Sequence, residues 1–416
     1  MKKTLLFDAS VLFENLVHGS GRSGIYFTSY NILKGIIESG RFNVCLYCDC
    51  MYNDKIIEFV RDNFGSDIKI YFGNRYGHLI EKLAVLDKKL RANKKNITKL
   101  FLNIFIRKPL KFVGRFVKLP SFDIAFSPMR IFSKQIIAKK KYILLHDTIP
   151  LIFPEYYPQM KLKKYWYYDL CKYIKSNNNC KFFCNSLSTK NDFVKFLGIN
   201  PDDITVSLLA AGDNFYHETS KNKIDKILKK YNIPKNKKYM FSLCTLEPRK
   251  NLIRAVKTFI EFIKKNKIND MVFVLGGGQW DKFILELEKE IENFGKYKDK
   301  IIRAGYIDDE DLPLLYSGAM FFVYTSQYEG FGLPPLEAMK CRTPVITSNN
   351  SSLPEVVGDA GQMIDWDSDE QHISAYEKYY FDEKYREKMA EAGLKRSKNF
   401  SWKNTVNIII NQITKE

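Results

Sequence analysis

The chain has 416 residues, 45% of them hydrophobic and 14% aromatic, with 66 Lys and Arg against 47 Asp and Glu for a formal charge of +19. Length and apolar content favour two folded domains and argue against a disordered chain. The uncharged apolar runs are shorter than about ten residues, half the length a membrane-crossing helix needs, so a helical integral membrane protein is excluded.

The start, MKKTLLFDASVLF, has the charge and apolarity of a signal peptide, but Asp8 and Glu14 interrupt it and no small-residue cleavage site follows. It reads instead as a buried first strand, KTLLFDAS. A helix is predicted from Ser23, where Ile25, Ile32, Leu33, Ile36 and Ile37 recur at helical spacing. Strands FNVCLYCD and DIKIYF follow. The eight cysteines are too few and too scattered for a disulfide framework. The cluster Cys45, Cys48, Cys50 raises a zinc site, but no second pair stands at ligand spacing, and a strand in a reducing compartment is the plainer reading.

From Lys88 to Lys118 there are eleven basic residues and no acid, interleaved with FLNIFI and with Phe112, Val113, Phe116 and Val117. This insertion, about 84–120, carries more than half of the surplus charge. Basic and apolar residues together suit an anionic membrane surface. Nucleic acid and a plain solvated basic face are the competing readings, and no nucleic-acid partner is expected.

Strands FDIAFS, KYILLHD, CKFFCNS and ITVSLLA come next, with a helix after Ser188, a predicted cap. The polar stretch Asp213–Lys238 reads as a connection holding one short helix. Alternation then restarts with strands YMFSLCTL, MVFVLGGG, IIRAGYI, AMFFVYTS, TPVITS and GQMID. Helices are predicted near Arg249, Trp280, Asp309, Pro335 and Ser352, and FSWKNTVNIIINQI closes the chain as a helix. Short apolar strands separated by helices imply parallel sheets covered on both faces. The expected fold is therefore α/β, with two Rossmann-like doubly wound domains facing a cleft. Their expected limits are 1–215 and 216–400, followed by a terminal helix at 401–416.

Four segments carry candidate chemistry. In YEGFGLPPLEAMKC, Gly330 and Gly332 permit a tight turn, and Pro334 and Pro335 suit the first turn of a helix. Glu329 and Glu337 flank this helix start, whose free N–H groups favour an anion. The plainer alternative leaves Glu337 complementing the helix dipole and Glu329 in solvent. In LCTLEPRKNL, Arg249 and Lys250 end a strand and could neutralise a diphosphate without a metal, or pair with Glu247. GSGRSGIY is a glycine-rich loop at a helix start, without a P-loop or GxGxxG spacing. In LLHDTIP, His146 and Asp147 close a strand, where a structural histidine is the common outcome. GGGQW and the acidic turn DWDSD read as structural, although GGGQW ends a strand and opens a helix where a ligand can pass nearby; DWDSD lacks the Gly and Glu of a calcium loop.

Together TLEPRKNL and GYIDDEDLPLLYSGAMFFVYTSQYEGFGLPPLEAMKCRTPVITSNNSSLPEVVGDAG resemble the group 1 glycosyltransferases, also called glycosyltransferase family 4. The resemblance covers roughly residues 238–400 closely. It is looser through GRSGIY and HDTIP, and the basic insertion has no place in it. It implies a GT-B fold and a retaining, metal-independent glycosyltransferase using a GDP-, UDP- or dTDP-linked sugar, with mannose or rhamnose favoured. It implies no cofactor and no metal.

The resemblance makes Glu329 and Glu337 the two acids of an EX7E motif, the first against the donor sugar and the second on the ribose hydroxyls. Arg249 and Lys250 would hold the diphosphate, helped by backbone amides of Gly332 and Leu333 and by Gly24 from the other domain. His146 would contact the sugar, and Tyr306 and Ile307 would line the base pocket. The expected acceptor is a glycan, lipid-linked, in surface polysaccharide or O-antigen assembly. The expected location is the cytoplasm, at the inner face of the membrane. Competing readings are a glycoside hydrolase, a nucleotide-sugar epimerase, and a non-catalytic basic protein binding membrane or nucleic acid.

Overall fold

The computed structural model describes residues 2–18, 23–49, 53–73, 119–160, 165–176, 179–278 and 281–415. Most of the basic insertion, Gly19–Arg22 of the first glycine-rich loop, and Trp280 lie outside them. Among the described residues, thirteen strands form two sheets. The N-terminal sheet contains β1 (Thr4–Asp8), β2 (Asn43–Cys48), β3 (Lys69–Phe72), β4 (Ser121–Ser127), β5 (Ile137–Leu145), β6 (Cys180–Cys184) and β7 (Ile204–Val206). Its order is β3-β2-β1-β4-β5-β6-β7. The C-terminal sheet contains β8 (Lys238–Leu243), β9 (Met271–Gly276), β10 (Ile301–Gly305), β11 (Phe321–Tyr324), β12 (Val345–Ser348) and β13 (Gln362–Ile364), in the order β10-β9-β8-β11-β12-β13.

Every pairing is parallel. Central strands buried on both faces must be apolar without alternation. Leu5, Leu6 and Phe7 of β1 and the whole of β9 are buried accordingly. One core cluster fills the C-terminal domain, and two clusters cover the faces of the N-terminal sheet.

In each sheet the strand order reverses once, between β1 and β4 and between β8 and β11. Ligands of such sheets bind beyond the carboxyl ends of the strands at that reversal. The loops leaving β8 and β11 are LCTLEPRK and TSQYEGFG, so the topology alone juxtaposes the two motifs with the most candidate chemistry.

Helix starts differ from expectation near Ser188, Arg249 and Asp309, the last of these helices beginning at Leu312. The helix Leu187–Leu197 is capped by Ser186, whose hydroxyl accepts from the Thr189 amide at 3.0 Å, and Ser188 lies inside it. Arg249 sits in a 3-10 turn, Pro248–Lys250, and the helix begins at Leu252 after Asn251, which has a positive φ of 59°. That turn keeps Arg249 and Lys250 at the strand end and outside the helix. The connection carries one helix, Lys221–Lys230, as expected. The closing helix, Trp402–Lys415, does not pack within the C-terminal domain alone. Its Val406, Ile409, Ile410 and Ile413 join the N-terminal core beside the helix Gly24–Glu38.

Candidate active site

A cavity of about 460 Å³ lies between the domains, at the carboxyl ends of both sheets. Gly24, His146, Arg249, Lys250, Tyr306, Ile307, Glu329, Gly332, Leu333 and Glu337 all line it. The structure thus gathers every predicted site residue around one space.

Glu329 is the electrostatic centre. It is buried, and one carboxylate oxygen, Oε1, meets Lys250 Nζ at 2.6 Å and Arg249 Nη1 at 2.9 Å. Burial pushes its pKa up, but Arg249 and Lys250 outweigh burial and hold it down at about 2. Both cations are themselves engaged. Arg249 donates to Tyr328 O at 2.5 Å and to Glu247 Oε1 at 2.6 Å, and Lys250 donates to the Tyr324 hydroxyl at 2.7 Å. Arg249 Nε is buried and has no hydrogen-bond partner among the described residues. An incoming anion would therefore share these cations with Glu329.

Glu337 stands in the opposite condition. Burial raises its pKa to about 7, and the Tyr316 hydroxyl, donating at 3.1 Å, only partly opposes that. One helix, Leu333–Lys340, begins at Gly332, whose φ of 116° suits glycine, and carries Glu337 in its second turn. Its first residues, Gly332, Leu333 and Pro334, line the cavity, and so do Ser23 and Gly24 at the start of the helix Gly24–Glu38, which Ser23 caps. Two helix N-termini and two cations converge on one space, an arrangement that favours a diphosphate.

His146 donates from Nε2 to Pro128 O at 2.6 Å, and burial lowers its pKa, which favours neutral imidazole. Its own carbonyl is taken by Asn185 Nδ2 at 3.0 Å and Thr189 Oγ1 at 3.3 Å. Ile307 is buried against Gly276, whereas Tyr306 lines the same cavity and is 56% exposed.

Gly277 and Gly278 border the cavity, in keeping with the sequence expectation that a ligand passes near the GGGQW strand end. A Cβ on Gly277, whose φ is 124°, would stand 1.8 Å from Cys244 O. The triple glycine was visible, but nothing local said that its backbone abuts the loop after β8. Asn185 and Trp402 reach the cavity by long-range folding alone. The DWDSD segment is a turn after β13 whose Ser368 caps the helix Asp369–Phe381. No group of three metal-binding side chains converges among the described residues, and none of their cysteines is in a disulfide.

Residues 223–396 match the family model described as glycosyl transferases group 1. The chain is 32% identical over 267 residues to O-antigen chain mannosyltransferase B of Escherichia coli, covering 64% of this chain and 68% of that protein. It is 29% identical over 281 residues to the serotype-specific mannosyltransferase WbdA of Escherichia coli, covering 66% of this chain but only 33% of WbdA. Among solved structures, Anabaena Alr3699/HepE in complex with UDP and glucose superposes with a TM-score of 0.68 at 15% identity, covering both chains fully. WaaG, a glycosyltransferase involved in lipopolysaccharide biosynthesis, superposes at 0.63 with 14% identity, covering 99% of this chain and all of WaaG. At such identities these structures speak for the two-domain Rossmann-like fold.

Proposed function

The chain belongs to the group 1 glycosyltransferases, and from that premise we propose that it moves mannose from a nucleotide-linked donor to a glycan acceptor in O-antigen-type surface polysaccharide assembly, with retention and without a metal. The names of its relatives support mannose and the O-antigen setting. The observation that carries the chemistry is Glu329 held between Arg249 and Lys250 under two converging helix N-termini.

A nucleoside diphosphate is a good leaving group, so the main requirement is to stabilise charge on it and on the sugar carbon. Arg249, Lys250 and the amides of Gly332, Leu333 and Gly24 serve the diphosphate. Glu329, ionised throughout the working pH range, faces the donor sugar and favours positive charge at its anomeric carbon. Glu337 receives the ribose hydroxyls, Tyr306 and Ile307 receive the base, and His146 borders the sugar. The bond from the anomeric carbon to the phosphate oxygen breaks while the acceptor oxygen bonds to that carbon from the same face. The departing phosphate oxygen takes the acceptor proton, which yields net retention. The acceptor is read as lipid-linked at the inner membrane face, with the basic insertion as the contact.

Thermal unfolding with GDP, UDP, dTDP and their sugar conjugates tests the donor class. A ligand at one hundred times its dissociation constant stabilises by about 2.7 kcal/mol, a shift of several degrees for domains of this size. One nucleotide should raise the midpoint in EDTA, and its mannose conjugate should then yield an α-mannosyl product only when acceptor is present. An inverted product sinks the mechanism. Sugar conversion without acceptor favours the epimerase, and no shift with any nucleotide removes the donor site.

A further inference from the structure

Resting on the glycosyltransferase reading of Glu329, we infer that the helix Leu187–Leu197 of the N-terminal domain holds the Glu329 loop in its working shape, with Asp192 as a positioning residue acting through Tyr328. The segment Gln327–Phe331 forms neither strand nor helix. Its shape comes instead from side chains that donate to five consecutive carbonyls. Asn350 Nδ2 donates to Gln327 O at 2.8 Å, Arg249 to Tyr328 O, and the Ser352 hydroxyl to Glu329 O and Phe331 O at 3.0 and 2.6 Å. Those four carbonyls are held from within the C-terminal domain.

The fifth is not. Gly330 O accepts from Ser186 Oγ at 2.7 Å and Thr189 Oγ1 at 3.0 Å, both in the N-terminal domain. On the other side of Glu329, the Tyr328 hydroxyl donates to both oxygens of buried Asp192, at 3.0 and 2.8 Å, and Thr148 Oγ1 also donates to Asp192, at 3.0 Å. The tie is reciprocal. Glu355 of the C-terminal domain accepts from the amides of Leu187 and Ser188 at 2.8 and 2.7 Å, which as first-turn amides have no partner inside their helix.

The N-terminal domain thus grips the residues immediately before and after Glu329. Between the grips, a Cβ on Gly330 would stand 2.1 Å from His146 O, so the two backbones meet with no side chain between them. Neither Asp192 nor Tyr328 lines the cavity. Asp192 therefore acts on the site indirectly, through the Tyr328 loop and through Thr148 beside Asp147, and Tyr328→Phe isolates the loop route. The consequence is mechanical: the loop that carries Glu329 is tied on both sides only when the domains are together, so closure completes its shape.

The test compares Tyr328→Phe, Asp192→Ala and Asp192→Asn by amide exchange of a peptide spanning 326–333, GDP binding by calorimetry, and release of GDP from GDP-mannose with glycan acceptor present. Loop amides in Tyr328→Phe and Asp192→Ala should exchange about tenfold faster than in the wild type. Turnover should fall at least about tenfold, as small misplacements of reacting groups do, with GDP affinity within about twofold. Asp192→Asn retains an acceptor for the tyrosine hydroxyl and should recover most protection and turnover, a rescue that general loosening would not give. Unchanged loop exchange in Tyr328→Phe and Asp192→Ala overturns the inference, as does faster exchange with turnover intact. If the wild type releases no GDP from GDP-mannose while its loop protection still depends on Tyr328, the mannosyl-donor reading fails and the clamp stands.

Discussion

Glu329 and Glu337 share a cavity and a helix start, yet their surroundings drive them apart. Two cations fix Glu329 as an anion, and replacing it by Gln leaves Lys250 buried without its counter-charge and Arg249 with Glu247 alone. Breaking a buried pair from one side costs about 3–5 kcal/mol. The same change frees Arg249 and Lys250 for a diphosphate. Glu329→Gln should therefore lose turnover by about a hundredfold or more while binding free nucleoside diphosphate more tightly than the wild type. Calorimetry beside a rate assay checks this, and weaker diphosphate binding would mean that the two cations do not serve that ligand. Glu337 has a native pKa raised to about 7 from an ordinary 4.5. The native state then binds more protons than the unfolded state between about pH 4.5 and 7, so stability falls as pH rises through that window. Glu337→Gln removes the titration. Its melting temperature relative to wild type should climb between pH 5 and pH 8, by several degrees if roughly 2 kcal/mol of the shift is realised. A pH-independent difference would refute the assignment.

At the scale of elements, the strands were legible because burial on both faces forces continuous apolar runs, as in MVFVLG of β9. Charge, glycine and proline at the strand ends marked YEGFGLPP and LEPRK for the same local reasons. Sequence could not weigh competing caps: Ser186 and Ser188 are equally good residues, and only the Gly330 carbonyl opposite Ser186 separates them. Nor could it distinguish structural glycines from cavity-lining ones. Gly277 is the clearest case, because its constraint lies in Cys244 O, thirty-three residues earlier in the chain. Gly277→Ala combines a forbidden contact with a positive φ and should displace the loop after β8. Arg249 and Lys250 follow that loop, so nucleotide stabilisation should disappear even where the C-terminal domain still folds. Gly278→Ala meets nothing within 4 Å and serves as the control; equal loss in both variants would show that the contact at Gly277 is not the cause.

For the whole molecule, two sheets of like topology are joined by more than their cleft. The chain ends by crossing back, and its last helix supplies four aliphatic side chains to the core of the first domain. The contact is close: a Cβ on Gly35 would fall 2.6 Å from Val406, so the helices approach through a glycine. Thr405 adds hydrogen bonds, donating to Leu208 O at 2.6 Å and accepting from Ser207 Oγ through its carbonyl at 3.1 Å. Nothing in FSWKNTVNIIINQI says which domain it will cover, since an apolar stripe fits either. Burying four such side chains is worth about 6–12 kcal/mol, comparable with the 5–15 kcal/mol net stability of a domain. Residues 1–215 produced alone should therefore lack a cooperative unfolding transition, and a peptide of residues 398–416 added in trans should restore one. Ile409→Ala in the full chain should cost about 2–5 kcal/mol and accelerate amide exchange in Gly24–Glu38 before it does so in β8 or β9. A cooperative transition in residues 1–215 without the peptide would show that the first domain is self-sufficient. The crossing helix would then act only as a tether that limits how far the two domains separate.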